Sequence, residues 1–111
     1  MARPRNDKTR RSPGPRDTDT WIELRGRVVR LLHDPEDRHQ RFILDTGDRR
    51  TILVAHNIGI AERVPLGLGD RVTVRGLYEW NDLGGLLHWT HADPMGQDEA
   101  GFIRFRNKTF Q

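Results

Sequence analysis

The run Gly69–Trp80, "GDRVTVRGLYEW", constrains the fold most. Val72, Val74, Gly76 and Tyr78 alternate with Arg71, Thr73, Arg75 and Leu77. A strand buries such a period-two row on one face, and a helix scatters it. The same rhythm returns in Trp21–Leu32, "WIELRGRVVRLL", where Ile22, Leu24 and Val28 share a face with Gly26. Gly26 predicts a bend, a bulge or a close backbone approach. The apolar neighbours Val28 and Val29 call for a bulge or for burial on two faces. "QRFILDT" and "TILVAH", joined by "GDRR", predict a hairpin. "LLHWTHA" predicts a fifth strand, and "FIRFRNKTF" a short last one with Phe102 and Ile103 as docking residues.

One segment breaks the rhythm. In "NIGIAERVPLGLG", Asn57 is a helix cap, with Ile58, Ala61 and Val64 on an inner side. Gly59 weakens the helix, and Pro65, Gly67 and Gly69 end it, so a short helical segment is expected between strands three and four. The predicted class is therefore all-β: a small five-stranded Greek-key barrel like the oligonucleotide/oligosaccharide-binding fold. An SH3-like or otherwise open small barrel is the alternative.

The material for a core is limited. Residues 1–20 hold only Met1 and Ala2 as apolar non-proline residues, and are expected to be a disordered basic tail. Residues 21–111 are expected to form a single barrel domain. They carry thirteen basic and thirteen acidic groups, so the formal net charge of +3 belongs to the tail. A neutral domain makes no net-charge argument for nucleic acid, although it leaves a one-sided distribution open. The chain has no cysteine, which excludes disulfides and thiolate metal sites. No stretch approaches the roughly 20 apolar residues of a membrane span, and no apolar run follows the basic start. The cytoplasm is the expected compartment.

"RHQRFIL", "TILVAHNIGIAERV" and "GDRVTVRGLYEWNDLGGLLHWTHADPMG" together resemble a bacterial family known as domain of unknown function 3465. The resemblance runs from about Ile22 to Gln111 and leaves the tail outside. It implies a barrel of the oligonucleotide/oligosaccharide-binding kind and no particular activity. It also directs attention to His39, Gln40, Arg41, His56, Asn57, Glu79, Trp80, Asn81, His88, Trp89, His91 and Asp93. The family pattern places a histidine where this chain has Asp98, which weakens a metal site that needs it.

The histidines and aromatics divide the functional expectations. His88 and His91 are three apart, so a regular strand sends at most one of them inward. The plain expectation is that histidines at strand ends hydrogen-bond to neighbours. The metal alternative gathers His39, His56, His91 and Asp93 around zinc or manganese, without any familiar ligand spacing. A hydrolase acting on phosphodiesters would use His39, Arg41, His56 and His91. For Arg41 and Glu79 the plain expectation is a cross-strand ion pair.

The binding expectation places the ligand on strands two and three and the one–two and four–five loops, with Arg41, Phe42, Trp80, Asn81 and Trp89 as contacts. Arg71, Thr73 and Arg75 form a polar row expected on the outside of the barrel. "DPED" and "GLGD" are expected to be plain turns. The leading functional expectation is weak binding of single-stranded nucleic acid without a cofactor. A His-based or metal-dependent hydrolase and a protein-interaction module are the alternatives.

Overall fold

The alternation becomes architecture strand by strand in the computed structural model, which describes residues 13–33, 38–97 and 99–111. β1 (Thr20–Leu32), β2 (His39–Asp45), β3 (Thr51–Asn57), β4 (Arg71–Glu79) and β5 (Leu86–His88) form a closed five-stranded barrel. Neighbours around it run β1, β2, β3, β5, β4 and back to β1. The pairings are antiparallel except β3–β5, where Leu53 and Val54 lie parallel to Leu86 and Leu87. The β1–β4 ladder runs from Thr20 opposite Tyr78 to Arg27 opposite Arg71. β6 (Phe102–Phe105) extends the sheet from β4, and β7 (Lys108–Phe110) pairs with β6.

The inward rows are the apolar ones. Ile22, Leu24 and Val28 meet Phe42, Leu44, Ile52, Val54, Val72, Val74, Tyr78 and Leu87, and Ile103, Phe105 and Phe110 join them. Burying a large side chain of this kind stabilises by about 1.5–3 kcal/mol. A one-residue slip would expose a whole row, so the register is held strongly.

The predicted bulge in β1 falls between Val28 and Arg30. Val29 is the residue left over, and it is exposed. Gly26 is required because a Cβ there would lie 2.5 Å from the Asp45 carbonyl oxygen. Gly85 has φ +103°, and a Cβ there would run into the Tyr78 ring.

Four expectations need correction. There is no helix between β3 and β4; the described chain has only a 3-10 turn at Pro15–Asp17. Asn57 does cap, but it caps a turn, its Oδ1 accepting from Gly59 N at 2.9 Å. Ala61 and Val64 are buried as expected, held by side chains of the barrel described below. The fifth strand stops at His88, because Trp89 takes a left-handed φ of +57°. The last segment is a hairpin of two strands instead of one.

Residues 13–20, expected in the tail, are placed against the barrel. The Pro13 carbonyl accepts from Arg50 and from the Tyr78 hydroxyl, and Trp80 N donates to Thr18 Oγ1 at 3.0 Å. Residues 1–12, the "DPED" turn and Asp98 lie outside the described residues. No helix among the described residues is long and apolar enough to cross a membrane.

Candidate nucleic-acid interface

The rule that sends Ile22, Leu24 and Val28 inward sends Arg25 and Arg27 outward. It does the same for Arg71, Thr73 and Arg75 on β4 and for Arg104 on β6. Register then brings the three strands' arginines together. Thr73 lies between Arg25 and Arg104, and Arg27 faces Arg71 directly. The β6–β7 hairpin adds Arg106 and Asn107 as its two-residue turn, with φ of +52° and +67°, the paired positive φ of a tight hairpin.

All of these outward and turn residues except Arg75, together with Gly26, Asp45, Thr46, Gly47 and Val72, line an open groove of about 710 Å³. This falls in the size range of ligand sites, about 300–1,000 Å³.

The groove is strongly basic. Arg25, Arg27, Arg71, Arg104 and Arg106 line it, with Asp45 as the single acid in the lining. Asp45 turns one carboxylate oxygen to Gly47 N, at 2.8 Å. Asp70, just outside, accepts from Gly67 N and reaches Arg106 only at 3.9 Å. Arg104 and Arg106 pack over Phe102 and Phe105, at 5.2 and 4.9 Å from the ring centroids. Arg75 marks the groove's limit, since it pairs with Glu99 and packs over Trp21. Among the described residues, Arg25, Arg27 and Arg71 form no ion pair.

The histidine constellation is a different kind of site. His56 is fully buried at the end of β3. Its Nε2 lies 2.9 Å from the Glu62 carbonyl and its Nδ1 2.7 Å from Thr90 Oγ1. A carbonyl only accepts, so Nε2 carries the hydrogen and Nδ1 accepts from the Thr90 hydroxyl. Burial holds the imidazole below its ordinary pKa of 6.5, and nearby His91 and His39 push the same way. Gln40, opposite His56 on β2, clamps Val64 from both sides, donating to its carbonyl at 2.7 Å and accepting from its N–H at 2.9 Å. These bonds tie residues 61–66 across the barrel end without a helix.

The remaining expected site residues are distributed rather than gathered. Asp93 receives Met95 N and Gln97 N, both at 2.9 Å, and Asn81 receives Leu83 N and Gly85 N. Both therefore cap loops. His91 is buried beside Trp89, with ring centroids 5.1 Å apart, and its Nδ1 donates to the Ala92 carbonyl. His88 is half-buried on the outward face of β5, its Nε2 2.8 Å from Glu79, which thus has a histidine near it where an arginine was expected. Among the described residues, no group of three or more His, Cys, Asp or Glu is placed to hold a metal ion.

Phe42 is completely buried in the core, which removes it as a surface contact. Arg41 points outward from β2, half-buried. Trp80 and Trp89 are exposed beyond opposite ends of the short β4–β5 ladder. None of these residues lines the arginine groove. The groove's signal in the sequence was the spacing of Arg25 with Arg27 and of Arg104 with Arg106. The zero net charge of the domain concealed it.

Fold and site together define a small closed β-barrel with a one-sided basic groove. The chain belongs to the family described as protein of unknown function DUF3465, whose sequence model matches residues 7–111. The match begins well before Ile22 and takes in the segment that packs against Tyr78. No curated protein matches the chain.

Proposed function

We propose that this protein binds single-stranded nucleic acid along the groove between β1, β4 and the β6–β7 hairpin. The observation that carries the reading is the clustering of five arginines around Thr73 with little acid among them. Guanidinium groups pair with phosphate oxygens in a fixed fork and also stack on bases, which suits a single strand. The strand order, with β1 closing on β4 and β5 parallel to β3, supports assignment to the oligonucleotide/oligosaccharide-binding barrels. That likeness is an analogy of fold and is secondary to the groove itself. The reading keeps the ligand expected from the sequence and moves the face away from Arg41, Trp80, Asn81 and Trp89. It needs no cofactor, and a cytoplasmic setting belongs to it. A His-based hydrolase has less support, because His56 has both ring nitrogens engaged.

The test is fluorescence anisotropy of a labelled single-stranded oligonucleotide with the full chain, at about 50 and 200 mM salt, where phosphate contacts are distinguishable. The double variant Arg25→Gln/Arg104→Gln is expected to bind more weakly. Its salt slope should fall by about 1.4, the contribution of two phosphates at about 0.7 each. Unchanged affinity and slope in this variant would remove the groove as the binding face.

A further inference from the structure

We infer that Arg27 and Arg71 together form a seat for one phosphate group, the point in the groove where a ligand's charge is anchored. This deepens the nucleic-acid reading and rests on the same groove.

The two residues are direct cross-strand partners on the outer face of the β1–β4 ladder. Like charges placed directly opposite each other in a sheet are destabilising. Proteins ordinarily relieve such a pair with an acid, and two acids stand close by. Asp45 is opposite Arg27 on its other flank, yet turns Oδ1 to Gly47 N and makes no ion pair with Arg27. Asp70 precedes Arg71, yet its Oδ2 accepts from Gly67 N and its Oδ1 is directed to Arg106. Both carboxylates hold turns, and the arginine pair is left with excess positive charge at the rim of a solvent-open groove.

The two non-bridging oxygens of a phosphate can each accept from one guanidinium group, and its negative charge offsets the repulsion between them. Nucleic-acid backbone and free polyphosphate share this chemistry. The pair thus contributes affinity without reading bases.

The test compares the full-length protein with Arg27→Gln, Arg71→Gln, the double variant and an Arg63→Gln control outside the groove. Thermal unfolding is followed with and without inorganic tripolyphosphate, and oligonucleotide binding is followed against salt. Tripolyphosphate should raise the Tm of the wild type and of Arg63→Gln, and either seat substitution should abolish most of that rise. Without ligand, Arg71→Gln should unfold at the same or a higher temperature, because a repulsion has been removed. The double variant should lose salt slope by about 0.7, one phosphate's worth, instead of the about 1.4 of two separate contacts.

A tripolyphosphate response that survives both substitutions overturns the seat, as does a ligand-free Tm lowered by Arg71→Gln. If the oligonucleotide binds and neither substitution weakens it, the seat falls while the nucleic-acid reading stands on other arginines. If tripolyphosphate acts through Arg27 and Arg71 but no oligonucleotide binds, the seat stands for free polyphosphate and the nucleic-acid reading falls.

Discussion

The cluster of polar groups around His56 and the cluster around Thr73 contain similar raw material and have opposite character. Around His56 the polar groups are inside and matched. The imidazole, the Gln40 amide and the Thr90 hydroxyl find partners in each other or in the 61–66 backbone. Around Thr73 the groups are outside, of one sign, and largely without acids. A satisfied buried network gives shape to a barrel end and leaves few groups over for a ligand. A like-charged surface costs stability and attracts groups of opposite charge. Gln40, His56 and Thr90, from the motifs "HQRF", "VAHN" and "HWTH", thus serve the architecture, and the proposed binding face lies elsewhere.

That comparison breaks if the two clusters respond alike to substitution. The largest stability effect is expected from His56→Ala, which leaves Thr90 and the Glu62 carbonyl unpaired beside a cavity, at a cost of about 3 kcal/mol. Urea unfolding measures it, and a change below about 1 kcal/mol would deny His56 its structural role. Gln40→Leu should cost somewhat less, about 2 kcal/mol, because the shape is kept while the Val64 N–H loses its partner and the Val64 carbonyl keeps only Leu66 N.

Acid should reproduce part of the His56 effect. The folded state holds this imidazole below 6.5, so the unfolded chain binds the proton first as pH falls. The stability contributed by the neutral ring is complete above the unfolded value and declines as pH drops below about 6.5, by at most about 1.4 kcal/mol per pH unit. Unfolding curves between pH 7 and 5 should show this slope in the wild type and lose it in His56→Ala.

Arg104→Gln sharpens the other side of the comparison: stability within about 0.5 kcal/mol of wild type, with weaker oligonucleotide binding and a shallower salt dependence. The smallest binding effect is expected from Trp80→Ala, since Trp80 does not line the groove. Anisotropy titrations compare the two directly, and a larger loss for Trp80→Ala would return the site to the face first expected.

β2 and β4 were legible because each carries a clean period of two, and their inward rows follow from that pattern alone. The 57–66 segment misled because Asn57 caps turns as readily as helices. What holds this segment is a pair of side chains, His56 and Gln40, whose partners are remote backbone atoms. Trp89 misled by ending the strand: its left-handed backbone stops β5 at His88, so the period-two rule no longer applies beyond it, and the adjacent Thr90 and His91 are both buried. The groove was illegible for a different reason. Its arginines come from β1, β4 and the β6–β7 hairpin, and net charge sums over exactly the distances that register abolishes. Phe42 and Arg41 show the limit within one strand: neighbours in sequence, they face opposite sides, and only one was available to a ligand.

The long ladder between β1 and β4 has a kinetic consequence. The β2–β3 hairpin joins neighbouring segments and can form on its own within about 1–10 μs. Arg27 and Arg71 meet only when distant parts of the chain have closed the barrel, an event delayed by the entropy of long-range pairing. A nascent or half-folded chain carries the same arginines dispersed, without a groove to focus them. The basic groove is thus assembled only in the finished barrel, and on the proposed reading a polyanion bound there would select against every incompletely closed form.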